Sequence, residues 1–254
     1  VIKENNLPEG LFSLIIGKGS TVGEMMLNDN RVPLVSITGS THVGKHAAEV
    51  IARRFGRSIL ELGGNNAIIL SNNADLKMAI PAIVFGAVGT AGQRCTTTRR
   101  LIIHEEIYDK VKESLVKAYS ALKIGNPLDA KNHVGPLIDK AAVSTFKDAL
   151  NRAEKEGGKV IFGGEILTGE GYESGCYIVP AIVEAKNEYE IVQEETFAPI
   201  LYLIKYSGDI NNAIELQNGV VQGLSSAIFT LNMREAEEFL SSSGSDCGIA
   251  NVNI

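Results

Sequence analysis

The segment Val32–Gly44 reads VPLVSITGSTHVG, an apolar run that ends in a glycine turn and continues into a helical pattern. Val32–Thr38 predicts a strand, and Val43–Phe55 predicts the helix that follows it. The same alternation recurs along the chain. Strands that alternate with helices imply a mostly parallel sheet covered on both faces, so we expect an α/β fold.

The sequence predicts two domains, with a boundary near Gly63-Gly64. Apolar runs predict strands over 11–16, 59–62, 67–70, 159–162, 201–206, 224–230 and 248–254. Apolar residues at helical spacing predict helices over 75–89, 105–122, 139–156, 210–217 and 232–241. The rhythm of helix and strand restarts at the paired glycines, where we expect a hinge between domains 1–63 and 64–254.

Composition and charge exclude several classes of function. The chain has 254 residues, of which 44% are hydrophobic and 21% are charged, as in one large or two small globular domains. A formal charge of −6 without a basic stripe argues against a nucleic-acid binder. No apolar run reaches the roughly 18 residues of a membrane span. Four scattered histidines predict no metal site. Three widely spaced cysteines favour a reducing compartment.

Cys95 is a candidate nucleophile because of its neighbours. It lies in Gly92-Gln93-Arg94-Cys95-Thr96, among small and polar residues, and a thiolate readily attacks carbonyl carbon. Arg94 either favours the thiolate or binds an anionic group of the substrate. The alternative is that Cys95 is a small buried hydrophobe, as free cysteines often are. Cys176 and Cys247 lack such surroundings and are predicted to be structural.

Glu61 is a candidate general base. It lies between Leu60 and Leu62, whose apolar side chains would withdraw the carboxylate from water and make it a stronger base near neutral pH. The alternative is a strand whose polar face points to water. A thiol nucleophile together with such a base suggests covalent chemistry on a carbonyl group.

The turn Gly39-Ser40-Thr41 is a candidate anion site. Free N–H groups at the N-terminus of the predicted helix suit a diphosphate, although an ordinary turn capped by one of the two hydroxyls explains the pattern equally well. Residues 39–45 also nearly match a P-loop. The next residue, His46, has no hydroxyl for magnesium, which argues against a nucleoside triphosphatase.

A second candidate cofactor segment is Glu194-Glu195-Thr196-Phe197-Ala198-Pro199. The Glu195 carboxylate could accept hydrogen bonds from ribose hydroxyls, and the Phe197 ring could pack on a nicotinamide. The alternative is a charged loop before a strand, which is the commoner case.

These motifs together resemble the aldehyde dehydrogenase superfamily. The family's Gly-Ser-Thr-x-Val-Gly, Glu-Leu-Gly-Gly, Gly-Gln-x-Cys and Glu-x-Phe-x-Pro patterns occur here in the same order, with Glu61 and Cys95 separated by 34 positions. Three longer stretches resemble the antiquitin branch, which oxidises α-aminoadipic semialdehyde: LELGGNNAII (60–69), GTAGQRCTT (89–97) and GSDCGIANVN (244–253). The implied fold is part of a Rossmann-type, NAD-binding domain over 1–63, followed by an α/β catalytic domain over 64–254 that is truncated at its C-terminal end.

The resemblance implies a role for each candidate residue. Cys95 attacks the aldehyde carbon, hydride passes to NAD, and Glu61 activates the water that hydrolyses the resulting thioester to a carboxylic acid. The implied NAD contacts are Gly39 and Ser40 at the diphosphate, Glu195 at the nicotinamide ribose, and Phe197 and the Leu62 backbone at the nicotinamide. The implied substrate contacts are Arg94, which would hold a carboxylate, and Thr96, Gly248, Ile249 and Ala250.

The resemblance also implies a setting for the protein. The cofactor would be NAD, the substrate a small-molecule aldehyde, and the full-length protein a homo-oligomer, as in the family's homotetramers, in the cytoplasm or the mitochondria. Because the chain begins at Val1 and stops after a strand, we expect it to be an internal piece of a longer protein. An upstream oxyanion donor is expected outside it. Loss of one such donor costs about 10² to 10³ in rate, so we expect this piece alone to be inactive.

Three other functions stay open on the sequence. A P-loop-like nucleotide hydrolase should lose phosphate release when Lys45 is changed. A non-catalytic family relative should be unaffected by Cys95→Ala. A thiol enzyme that does not hydrolyse its thioester should tolerate Glu61→Gln, whereas a hydrolytic enzyme should stall.

Overall fold

A computed structural model describes residues 1–254 and divides into two units, Val1–Leu62 and Gly63–Ile254. The first unit contains a π-helical turn at Gly19–Gly23, α1 (Glu24–Asn28), β1 (Leu34–Thr38), α2 (Thr41–Arg53) and β2 (Arg57–Glu61). Strands β1 and β2 pair in parallel, with Thr38 opposite Glu61. A small apolar core joins the helices to this sheet, formed by Leu27, Val35, Ala47 and Ile51.

The second unit contains a seven-stranded sheet with the order β5-β6-β7-β4-β3-β8-β9. Its strands are β3 (Ala67–Leu70), β4 (Arg100–His104), β5 (Lys159–Phe162), β6 (Ala181–Glu184), β7 (Ile200–Tyr206), β8 (Ser225–Phe229) and β9 (Ile249–Val252). Its helices are α3 (Leu76–Val88), α4 (Tyr108–Ser120), α5 (Lys140–Lys155), α6 (Glu190–Gln193), α7 (Ile210–Asn218) and α8 (Met233–Leu240), with short 3₁₀ turns at Gly89–Gly92 and Glu105–Ile107. Only β5 is antiparallel to its neighbour, so the predicted mostly parallel sheet is confirmed.

Amphipathic helices cover this sheet as their periodicity predicts. In α4, Val111, Leu115 and Tyr119 recur every four residues and are all buried in the main core. Asp139 directly precedes α5. Its carboxylate accepts from the Ala142 N–H and caps the helix. None of the helices combines the length and the apolar character that crossing a membrane requires.

One expected strand is absent, and one observed strand was not expected. Residues 11–16 form no strand, because no neighbouring strand pairs with their backbone, and all six are exposed. Strand β6 was not predicted from the sequence. Its first three residues are buried, so the segment has none of the alternation by which a half-buried strand is recognised.

The direction of the strands decides which loops meet. In the first unit, the carboxyl ends of β1 and β2 lie side by side and lead into the Gly39 turn and Glu61. In the second unit, the segments that enter parallel strands meet at the amino edge of the sheet. These segments are 63–66 before β3, 93–99 before β4, 194–199 before β7, residue 224 before β8 and residue 248 before β9.

Candidate active site

The Gly39-Ser40 turn of the first unit lies at the carboxyl edge of its sheet. Ser40 Oγ accepts from the Val43 N–H at 3.3 Å, so the proposed helix cap is present. The Gly39 N–H donates to the Glu61 carbonyl oxygen at 3.1 Å. The turn before α2 is therefore tied to the backbone of Glu61, and the free N–H groups at the start of α2 are what an anion at a helix N-terminus needs. Binding of a diphosphate there stays a prediction.

A cavity of about 530 Å³ next to this turn was not expected from the sequence. Its walls come from α1, β1 and α2, and they include Met26, Leu27, Val35, Ile37, His42 and Val43. His46 lies at the same cavity, where its Nε2 is 2.6 Å from Glu24 Oε1. The position at which a P-loop has its hydroxyl is thus occupied by an imidazole in contact with a carboxylate.

Glu61 is exposed at the end of β2, and so is Ile59 on the same strand. The apolar surroundings predicted from Leu60 and Leu62 are therefore not observed, because an isolated pair of apolar neighbours in a two-stranded sheet does not enclose a carboxylate. The Leu62 side chain instead packs on Gly44 of α2, where an added Cβ would lie 2.5 Å from both Leu62 Cδ atoms.

In the second unit, Cys95 is presented by a strained turn. After α3 the chain passes through Thr90, Ala91 and Gly92 with φ angles of 56°, 51° and 68°. A left-handed backbone at a β-branched residue is costly, and such strain concentrates at functional sites. The Cys95 thiol is exposed, so the alternative of a small buried hydrophobe is wrong.

Two residues hold this turn against the sheet. Asn66 Nδ2 donates to the carbonyl oxygens of Cys95 at 2.7 Å and Thr97 at 2.9 Å, while its Oδ1 accepts from the Ser225 N–H at 2.9 Å. Gly92 lies against the backbone of Ala198 and Pro199, where an added Cβ would overlap the Pro199 nitrogen. The Cys95 turn therefore packs on the segment that carries Glu195 and Phe197.

Glu195 lies over the paired glycines. Its Oε1 accepts from Arg99 Nη2 at 2.8 Å and from the Gly64 N–H at 3.4 Å. An added Cβ at Gly63 would lie 2.6 Å from Oε1 and still closer to Oε2. Glycine is thus required at position 63, because a carboxylate occupies the space of a side chain. The hinge expected at the paired glycines stays a prediction.

Arg99 was not singled out from the sequence. Its side chain is 2% exposed, pairs with Glu195, donates to the Arg94 carbonyl oxygen at 3.3 Å, and has Cζ 5.5 Å from the centroid of the Phe197 ring. Burial lowers the pKa of Arg99 below its usual range, while the Glu195 carboxylate and the charge of a Cys95 thiolate oppose that shift. The available signal was a pair of arginines directly before the wholly apolar run Leu101-Ile102-Ile103.

Arg94 points along α3. Its Nη2 donates to the Phe85 carbonyl oxygen at 3.0 Å, and its Cζ lies 5.0 Å from the centroid of the Phe85 ring. Both residues line a cavity of about 630 Å³ between α3 and α4 whose other walls are largely apolar. Arg94 Nε is buried and has no acceptor in the protein. A role for Arg94 toward a substrate carboxylate stays a prediction.

The remaining predicted substrate residues lie at the same amino edge. Thr96 is half-buried beside Cys95, and Gly248 and Ile249 are exposed at the start of β9. The Ile249 N–H donates to the Leu224 carbonyl oxygen at 3.1 Å, and Ala250 is partly buried opposite Ser226 of β8. No group of three or more His, Cys, Asp or Glu side chains that could hold a metal ion is present.

The chain resembles known proteins over its whole length. The model of the aldehyde dehydrogenase family matches residues 1–254. The chain is 47% identical over 254 residues to aldehyde dehydrogenase family 7 member A1 of Pisum sativum and covers 49% of that protein. It is 49% identical over 255 residues to α-aminoadipic semialdehyde dehydrogenase of Bos taurus and covers 46% of that protein. The chain therefore spans about half the length of the curated relatives it matches.

Solved structures agree with these sequence matches. A betaine aldehyde dehydrogenase of Staphylococcus aureus, solved in complex with NAD⁺, superposes with a TM-score of 0.94 at 29% identity. The superposition covers 99% of this chain and 50% of that one. The family and the fold class predicted from the sequence motifs are both confirmed.

Proposed function

The chain belongs to the aldehyde dehydrogenase family, and we propose that the full-length protein oxidises an aldehyde to the carboxylic acid with Cys95 as nucleophile. One observation carries this proposal: Cys95 is exposed on a strained turn that packs against the Glu195–Phe197 segment. Nucleophilic attack on a carbonyl carbon requires an accessible thiol in a fixed position, and Asn66 Nδ2 fixes Cys95 by donating to its carbonyl oxygen.

The chemistry proceeds through two covalent species on sulfur. The Cys95 thiolate forms a bond to the aldehyde carbon and gives a thiohemiacetal. A bound NAD would supply the hydride acceptor for this carbon, and Cys95 would then hold the oxidised product as a thioester. Glu61 takes a proton from water, the hydroxide adds to the thioester carbon, and the carbon–sulfur bond breaks. The products are the carboxylic acid and the regenerated thiolate, and Glu61 releases to solvent the proton that it took from water.

Several features of each unit support NAD as the cofactor. In the first unit, the N-terminus of α2 suits a diphosphate, and the adjoining 530 Å³ cavity has apolar walls that suit a purine ring. In the second unit, Glu195 Oε2 accepts no hydrogen bond from the protein and is available to a ribose hydroxyl. The Phe197 ring is 45% exposed and is available to a nicotinamide.

We propose a carboxylate-bearing semialdehyde, such as α-aminoadipic semialdehyde, as the substrate. The name of the bovine relative supports this choice. Arg94 supports it as well, because this residue directly precedes the nucleophile and a guanidinium can bind a carboxylate through two parallel hydrogen bonds. The P-loop alternative is not favoured, since the family match covers all of the segment that contains His46.

The proposal is tested on the full-length protein with a panel of acidic and neutral aldehydes and NAD. We expect NADH formation to be fastest with acidic semialdehydes and to be abolished in Cys95→Ala. The matched control is Cys176→Ala, which removes a thiol that is only 8% exposed and should leave turnover within about twofold. Equal turnover by Cys95→Ala and the wild-type protein would exclude the mechanism.

Two further variants separate the roles of Glu61 and Arg94. Glu61→Gln should release about one NADH per site in a burst and then stall at the thioester. Arg94→Ala should lower kcat/KM for acidic aldehydes by about tenfold or more and leave neutral ones nearly unchanged. Equal losses for both classes of aldehyde would remove the semialdehyde assignment while leaving the dehydrogenase function intact.

A further inference from the structure

One buried side chain connects three segments to which the proposed function gives different tasks. Arg99 Nη2 is 2.8 Å from Glu195 Oε1 and 3.3 Å from the carbonyl oxygen of Arg94, the residue before Cys95. The guanidinium also lies 5.5 Å from the centroid of the Phe197 ring, within the range of a cation–π contact. A single cation therefore touches the predicted ribose acceptor, the predicted nicotinamide wall and the turn of the nucleophile.

The neighbouring Arg100 is a buried arginine with a purely structural role, and its hydrogen bonds provide a comparison for Arg99. Its guanidinium donates five hydrogen bonds, two to the Asn65 carbonyl oxygen and one each to Asn187 Oδ1 and the carbonyl oxygens of Leu216 and Gln217. Every nitrogen of Arg100 has an acceptor, and none of these acceptors belongs to the candidate active site.

Arg99 is arranged differently. Its Nε and Nη1 are buried and have no acceptor in the protein, although buried donors are nearly always paired. A buried charge with unpartnered donors lowers the stability of a fold, so its presence indicates another purpose. The pairing of Arg99 with Glu195 and its stacking on Phe197 indicate what that purpose is.

We propose that Arg99 is a positioning residue for the dinucleotide. Its guanidinium holds Glu195 Oε1, so that Oε2 stays directed at the nicotinamide ribose, and it supports the Phe197 ring from behind. The same group fixes the Arg94 carbonyl oxygen and with it the start of the Cys95 turn. This inference rests on the proposed function and adds to it a residue that orients the cofactor relative to the nucleophile.

The test compares variants of the two adjacent arginines in the full-length protein. Arg99→Met removes the charge and every hydrogen bond, Arg99→Lys keeps the charge, and Arg100→Lys is the matched control for loss of a buried guanidinium. NAD affinity is measured by calorimetry, and KM for NAD and for the aldehyde are measured separately. Thermal unfolding is followed for all three variants.

A positioning role predicts a selective loss. Arg99→Met should weaken NAD binding and raise KM for NAD by about 10- to 100-fold, the range for one lost charge-assisted hydrogen bond. KM for the aldehyde should change less than KM for NAD, because Arg99 reaches the Cys95 turn only through its 3.3 Å contact with the Arg94 carbonyl oxygen. Arg99→Lys should recover part of the loss. Arg100→Lys should lower the unfolding temperature but leave NAD affinity within about twofold. Adding Arg99→Met to Glu195→Gln should cost little beyond the larger single loss, because both act on one carboxylate.

Two outcomes would overturn the inference in different ways. If Arg99→Met binds NAD as the wild-type protein does, or if Arg100→Lys shows the same loss, Arg99 has only a structural role and the dehydrogenase function stands. If the wild-type protein itself binds no NAD, the proposed function fails and the role of Arg99 fails with it.

Discussion

Replacing Gly63 with alanine should weaken cofactor binding although position 63 presents no functional group. The Glu195 carboxylate lies where an alanine methyl group would be, with the new Cβ 2.6 Å from Oε1 and nearer still to Oε2. Carbon and oxygen atoms do not approach so closely, so the carboxylate must move. Its movement strains the 2.8 Å contact with Arg99 and the 3.4 Å contact with the Gly64 N–H.

The size of the effect follows from the bonds that are disturbed. A hydrogen bond to a charged group contributes about 1.5–3 kcal/mol, and 1.4 kcal/mol corresponds to a tenfold change in affinity. Loss of the oriented Glu195 carboxylate should therefore weaken NAD binding by about 10- to 100-fold. Overpacking costs about 1–3 kcal/mol in fold stability, which is small enough to leave the protein folded.

The assay is calorimetric titration of the full-length protein with NAD. Gly135→Ala provides the control, because it makes the same chemical change where the nearest atom, Pro127 Cβ, lies at 3.4 Å. The control should bind NAD as the wild-type protein does. A Gly63→Ala protein with wild-type NAD affinity would show that Glu195 does not contact the cofactor from its present position.

Two further predictions concern stability. Arg100→Met should lower the free energy of unfolding by about 3–5 kcal/mol in urea titrations, because it leaves a cluster of buried carbonyl oxygens without a donor; a loss below about 1 kcal/mol would contradict this. Arg152 holds the pKa of Glu194 below its ordinary value of 4.5, so this ion pair stabilises the fold above about pH 4.5 and the contribution is lost as the pH falls through the lower folded pKa. The unfolding temperature of Glu194→Gln should therefore fall less between pH 6 and pH 3 than that of the wild-type protein. An equal fall in both proteins would show that the Arg152–Glu194 ion pair does not contribute to stability.

The spacing of apolar residues predicts most helices and strands, because the formation of each element depends mainly on residues that are close together in the sequence. Strands β3 and β5 lie where the apolar runs place them, and α5 begins at Lys140, one residue after the start predicted for it. The strand predicted over residues 11–16 is absent for a different reason. Apolar residues in an extended segment become a strand only when a second backbone supplies hydrogen bonds, and the pattern of one segment does not reveal its partner.

In the candidate site, too, short motifs reveal individual residues but do not reveal contacts between distant parts of the sequence. Cys95 and Glu195 can be found from residue chemistry in short motifs. The contact between Gly64 and Glu195 cannot, because 131 positions separate the two residues. Arg99 was missed for the same reason. Its proposed role depends on contact with Glu195, 96 positions away, which the pair of arginines before the apolar run does not reveal.

The register of the sheet determines the geometry of the nucleophile's turn. Ala67 of β3 lies opposite Arg100 of β4 and Ser226 of β8. The residues one step earlier, Asn66, Arg99 and Ser225, are therefore adjacent as well, and they are the ones that hold the Cys95 turn and Glu195. A slip of one residue would send every side chain of a strand to the opposite face, and Arg100 of β4 would then lose its five buried hydrogen bonds. Because the supports of the thiol directly precede buried parallel strands, the core that stabilises the second unit also fixes the position from which sulfur attacks.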